Sequence, residues 1–220
     1  MRTLPLLLLL IAFVAAPEGR AQDPASGTEF RVDSDASWLR VMAWPDGPLK
    51  RFGHHHVISH HSISGTVNVA PDPMASTFAL ELSVLDLVVD DPDQRALEGE
   101  EFEGEVPQDD IEGTRGNMLS ENLLHGEQFP AITIQSSAIA GSLPDVSITA
   151  IFTVKGVEQS VTIPATIELT DEAFTASGEI ELTHDAFGLS PFTAMGGALS
   201  VRDLLVFRYH IAGTRQGNTP

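Results

Sequence analysis

Apolar residues recur at every second position along most of this 220-residue chain. Only a strand collects such a row on one face, because successive side chains point to opposite sides of the pleat. Val161, Ile163, Ala165, Ile167 and Leu169 make one row, interleaved with Thr162, Pro164, Thr166 and Glu168. Phe78, Leu80, Leu82 and Val84 make a second, and Ile148, Ala150, Phe152 and Val154 a third. Phe174, Ala176, Gly178, Ile180 and Leu182 follow, then Leu205, Phe207, Tyr209 and Ile211. With shorter candidates at 38–44, 57–59, 63–69 and 131–136, the pattern predicts about eight or nine strands.

The spacers are turn signals. They include Pro45-Asp46-Gly47-Pro48, Pro71-Asp72-Pro73, Gly141-Ser142-Leu143-Pro144 and Lys155-Gly156-Val157-Glu158. Links this short make antiparallel hairpins, since a parallel crossover needs a dozen or more residues. An all-β meander with one apolar face closes as a barrel or folds as a sandwich.

Residues 1–21 stand apart. Arg2 gives a positive start, 4–16 is apolar except for Pro5, and Gly19-Arg20-Ala21 puts small residues at the −3 and −1 positions. This is the pattern of a secretory signal peptide, with cleavage expected after Ala21 and a periplasmic or secreted destination. The apolar run is shorter than the roughly 20 residues of a membrane span, and no later run is longer, so no stable membrane insertion is expected. The remaining chain reads as one domain over 30–213, with flexible ends at 22–29 and 214–220.

Charge and composition exclude several functions. Lys and Arg total 12 against 31 Asp and Glu, a net charge of −19. Removing Arg2, Arg20 and Glu18 with the leader leaves 10 against 30, or −20. Such a surface repels a phosphate backbone, so no nucleic-acid partner is expected. There is no cysteine, hence no disulfide, thiolate metal site or cysteine nucleophile. Neither a Gly-x-Ser-x-Gly elbow, a His-Glu-x-x-His motif nor a phosphate loop occurs; the reading is of a protein without catalytic residues or a cofactor.

Two segments depart from the strand pattern. Residues 86–116 carry twelve acids and only Arg95 and Arg115 as cations, an insertion read as a solvated loop with short helical pieces. Leu119, Leu123 and Leu124 then have helical spacing, which predicts a short helix over 117–125, stopped by Gly126. Five of the eight histidines lie in 54–61. His54 and His56 would share a strand face and, with His60, His61, His125, His184 or His210, could hold zinc, copper or haem. The simpler reading, hydrogen-bonded histidines at a strand start, is favoured because no complete ligand set is visible.

Three stretches carry a family resemblance. Residues 117–136, Asn-Met-Leu-Ser-Glu-Asn-Leu-Leu-His-Gly-Glu-Gln-Phe-Pro-Ala-Ile-Thr-Ile-Gln-Ser, pair a short helix with an aromatic-Pro step and a strand. Residues 152–164 read as a strand–turn–strand hairpin around Lys155-Gly156. Phe187-Gly188-Leu189-Ser190-Pro191-Phe192 precedes the last apolar strand. In this order and spacing, the chain resembles the YceI-like proteins, small secreted binders of lipids or polyisoprenoids. The resemblance spans roughly Phe30 to Gly213. It implies an antiparallel, lipocalin-like β-barrel with a short helix near one end and an elongated apolar cavity. It also implies a non-enzymatic carrier of an isoprenoid or similar apolar lipid. Barrel interiors alternate with exteriors along each strand, so Phe78, Leu80, Leu82, Phe152, Ile163, Ile167, Phe207 and Tyr209 are expected to face inward, as core or ligand-binding wall.

Overall fold

The computed structural model describes residues 27–217; the expected signal peptide lies outside them. The chain forms a closed, antiparallel, eight-stranded β-barrel. Three of its strands are interrupted. β1 is Thr28–Val32 continued by Trp38–Ala43, β2 is His56–His60 continued by Ser64–Val69, and β3 is Thr77–Ser83 continued by Val88–Val89. The others are β4 (Ala131–Ser142), β5 (Asp145–Val154), β6 (Val157–Leu169), β7 (Ala173–Thr183) and β8 (Leu204–Arg215). Each pairs with its predecessor, and β8 closes on β1 at Val32↔Gly213 and on its continuation at Met42↔Val206. A small three-stranded sheet of Pro45–Asp46, Thr193–Ala194 and Leu199–Val201 sits beside one mouth of the barrel.

Local chemistry fixes this order. In the β5–β6 hairpin, Lys155 and Gly156 both have positive φ, 51° and 74°. That geometry matches the right-handed twist of the flanking strands. In β4 a bulge between Ser136 and Ala138 shifts the register. It changes the inward series from Ile132 and Ile134 to Ile139, which is why the sequence alternation stops at 136. Phe30 and Val32 of β1 are buried against Phe174 and Ile211, a strand too short to stand out as a row. Thr28, Glu29, Thr214 and Arg215, expected in flexible ends, are strand residues held by the Phe30↔Arg215 and Thr28↔Val69 pairings.

The helical region differs from expectation. After the short α1 (Pro92–Arg95), the main helix α2 covers Gln108–Leu119, and residues 121–124 form turns rather than a helix over 117–125. α2 follows Pro107 and carries Asp109 and Asp110 in its first turn, where carboxylates suit the helix dipole. Ser120 leaves the helical region at ψ 164°, and the amides of Leu124, His125 and Gly126 fold back onto the carbonyls of Met118, Ser120 and Leu119. The leucines thus reach the core from turns: Leu124 is buried beside Met118, with Leu119 and Leu123 packed against them.

Candidate functional site

The inward rows enclose a cavity of about 580 Å³. All eight residues singled out from the alternation, Phe78, Leu80, Leu82, Phe152, Ile163, Ile167, Phe207 and Tyr209, are on its wall. They belong to different parts of it. Phe152, Ile163 and Phe207 meet around Phe187 beneath α2; Leu80 and Tyr209 pack beside the buried Leu82; Phe78 and Ile167 flank Ile148 and Ala165. Seven of the eight are half-buried although they point inward, and only Leu82 is closed off. A packed core leaves few voids larger than a water molecule, so inward apolar side chains with accessible surface mark a hollow interior.

Phe187 is a wall residue the alternation could not reveal. It projects from the His184–Phe187 turn, ended by Gly188 at φ 69°, and its ring lies 5.6 Å from Phe152 and 5.4 Å from Phe207. The wall is also incomplete between β6 and β7. Their ladder runs only from Leu169↔Phe174 to Thr166↔Ser177. Above it stands Pro164, which has no N–H to give and occurs in sheets at edges or bulges. The Tyr209 hydroxyl crosses Gly178 and donates to the Pro164 carbonyl. Any Cβ on Gly178 would stand 2.5 Å from that carbonyl oxygen and 2.6 Å from the hydroxyl. Burial pushes the Tyr209 hydroxyl up to about 12. Tyr209→Phe is expected to lower stability in urea unfolding by about 1 kcal/mol. Because the folded-state value is raised, wild-type stability should fall as pH rises above about 10, and the variant should lose that component.

Among the described residues no Lys or Arg lines the cavity. At the mouth covered by α2 the lining carries the polar groups His54, His56, Asp109, Asp110, Thr114 and Asn117, while Ser76, Thr77, His184, Ser200 and Tyr209 supply others elsewhere on the wall. His54 Nε2 is 3.1 Å from Asp110 Oδ2, and His56 spans Asp90 Oδ2 at 2.5 Å and Thr114 Oγ1 at 3.4 Å. These contacts tie β2 to the acidic segment.

That segment is firmly anchored, not simply a solvated loop. Asp90, with no exposed side-chain surface, accepts from the Val57 amide at 2.9 Å and from Arg95 Nη1 at 2.6 Å. Glu98 accepts from both Arg40 and Arg208 on the outer barrel wall. Phe102 is buried with Met42 and Val57. Burial alone would raise the Asp90 carboxyl. The hydrogen bond and charge of His56, with the Val57 and Arg95 bonds, overcome it and hold the carboxyl below its ordinary value. Burial lowers His60, whose Nε2 lies 3.0 Å from the Ser83 carbonyl. Both shifts have one sign. The unfolded chain binds the His60 proton first as pH drops below about 6.5, and the Asp90 contribution disappears at more acid pH, below about 4. The thermal midpoint is therefore expected to fall in two stages on acidification; a flat profile between about pH 7 and 3 would contradict both assignments.

The histidines do not converge. His55 Nδ1 is 2.9 Å from the Glu101 carbonyl, His184 Nδ1 is 2.9 Å from the Asp203 carbonyl, His125 stands edge-on to Phe129, and His210 stacks on Trp38. Among the described residues no three His, Cys, Asp or Glu side chains are grouped to hold a metal.

The YceI-like domain matches residues 30–206. The chain belongs to the YceI-like family. Members of this family are in general binding proteins rather than enzymes. The fold is shared with Burkholderia cenocepacia BcnA, at TM-score 0.59 and 17% identity over 82% of this chain and 98% of that one. It is shared too with the Campylobacter jejuni YCEI protein, at TM-score 0.52 and 9% identity over 73% and 85%. At these identities the likeness is one of fold. The sequence matches none of the curated proteins. In this chain the acidic segment is clamped across one mouth of that barrel by Asp90, Glu98 and Phe102.

Proposed function

We propose that this YceI-like protein is a non-enzymatic carrier that holds an isoprenoid or similar apolar lipid in its barrel and works in the periplasm or outside the cell. The observation that carries the reading is the hollow interior: inward apolar side chains with accessible surface around about 580 Å³. That volume falls in the range of small-molecule pockets, about 300–1,000 Å³. An isoprenoid removes apolar carbon from water at about 0.8 kcal/mol per CH2 and needs few polar contacts, which suits a wall without Lys or Arg. The leader pattern at 1–21 supports export.

Wild-type protein purified from its native source is expected to release a lipid on organic extraction, detected by mass spectrometry, and the emptied protein to take up an added isoprenoid alcohol. Lipid-free native protein that also fails to bind added isoprenoids would overturn the reading. An untagged protein with stoichiometric zinc or copper, stabilised by adding more, would favour the histidine-based alternative, since binding to the folded state alone raises stability.

A further inference from the structure

The barrel mouth is bordered on one side by two loops, 44–53 and 192–202. Their backbones are joined. Pro45 pairs with Val201 and Asp46 with Ser200, the Leu49 amide donates to the Ala198 carbonyl at 2.9 Å, and that of Arg202 to the Trp44 carbonyl at 2.7 Å. On this platform stand Phe52, 63% exposed, and Met195, 73% exposed. No other large apolar side chain among the described residues is as exposed. The platform also borders the cavity, through Trp44, Pro45, Gly53, Leu199 and Val201.

Its charge runs against that of the molecule. Residues 44–53 hold Lys50 and Arg51 against Asp46, and residues 186–202 hold Arg202 and no acid, in a chain of net charge −19. All three cations are exposed. The Arg51 guanidinium lies 4.6 Å from the Phe52 ring centre, and that of Arg202 lies 5.4 Å from Trp44. Arg40, Arg95, Arg115 and Arg208, in contrast, are bound to carboxylates or carbonyls of the fold. Of the carboxylates near the platform, Asp109 is exposed at the α2 side of the mouth, and four others have partners. Asp46 accepts from the Gly47 amide at 2.8 Å, Glu101 from Trp44 Nε1 at 3.1 Å, Asp110 meets His54 at 3.1 Å, and Asp203 lies 3.5 Å from His184.

We propose that this platform docks the protein on an anionic phospholipid surface. Phe52 and Met195 enter the interface, Lys50, Arg51 and Arg202 meet the headgroups, and the cavity mouth is brought to the membrane. Apolar and aromatic side chains beside Lys and Arg are the composition that holds peripheral proteins at a bilayer surface. A lipid would then pass between bilayer and barrel on the side of the mouth that the platform borders. The purpose of docking rests on the carrier reading; docking itself does not.

The test is co-sedimentation of the chain from Gln22 onward, which contains every described strand, with vesicles of phosphatidylcholine alone or mixed with phosphatidylglycerol. The mixed vesicles are expected to carry the protein down at low salt, and salt to release it. Phe52→Ser with Met195→Ser should lower binding at least about tenfold, and Lys50→Gln with Arg51→Gln should remove the preference for anionic vesicles. Leu97→Ser, 61% exposed on the acidic segment, is the matched control and should bind as wild type. Wild-type protein that stays in the supernatant, or a Phe52/Met195 variant that behaves like Leu97→Ser, would overturn the proposal. So would a wild-type dimer that Phe52→Ser converts to monomer, since the patch would then meet a second copy. Isoprenoid uptake in vesicle-free buffer separates the two ideas. Uptake without sedimentation sinks docking alone; sedimentation without uptake upholds docking and sinks the carrier.

Discussion

Replacing Asp90 with alanine is expected to cost about 3–5 kcal/mol of stability, the usual effect of breaking a buried ion pair by removing one partner. Its carboxylate is inaccessible to solvent and is the anion against which Arg95 is buried. Without it the guanidinium, whose side chain is 8% exposed, has lost its counter-charge, and the Val57 amide has lost its acceptor. His56 loses the partner that orients its ring between β2 and α2. The denaturant midpoint should fall with little change in m-value, because the barrel still unfolds as the same surface. Glu105→Ala, at an exposed acid of the same segment, should be indistinguishable from wild type. Were the two variants equally stable, the clamp would be electrostatically idle and the acidic segment a surface loop after all.

Filling the cavity should produce the largest change in binding. Ala176 lies on β7 between Ile167 and Ile211 in the ladder and lines the cavity. Ala176→Trp places an indole where the ligand would lie. Excluding one five-carbon isoprene unit forfeits roughly 4 kcal/mol of burial, on the order of a thousandfold in Kd. Stability should hold or rise, because the added ring fills empty space. Leu82→Ala is the converse. Leu82 is 4% exposed, so it is core more than open wall; truncation should cost about 2–5 kcal/mol of stability while ligand uptake survives. A Leu82→Ala protein that is fully stable but cannot bind, beside an Ala176→Trp protein that binds normally, would reverse the assignment of space and packing.

The strands were legible because each hides one face and shows the other, so a row such as Ile163, Ala165, Ile167 carries its own orientation. The resemblance added closure into a barrel. What escaped the sequence is what depends on distant partners. α2 contains Gly113, Gly116 and several acids, so it has little of the apolar stripe by which a helix announces itself. Twelve acids in one segment gave no sign that Asp90 and Glu98 alone would be buried, because their choice is made by Arg95, Arg40 and Arg208 in three dimensions. The wall residue Phe187 sits in a turn, where period two has no meaning. The histidines drew attention by their density, yet the fold sends neighbouring rings to different partners: His54 to Asp110, His55 to Glu101, His56 to Asp90.

Calorimetric titration of the lipid-free protein with a short isoprenoid alcohol, at several temperatures, addresses the hollow barrel most directly. The account predicts one saturable site per chain, a negative heat-capacity change from apolar burial, and loss of that site in Ala176→Trp. Absence of saturable binding, or a site untouched by Ala176→Trp, would contradict it.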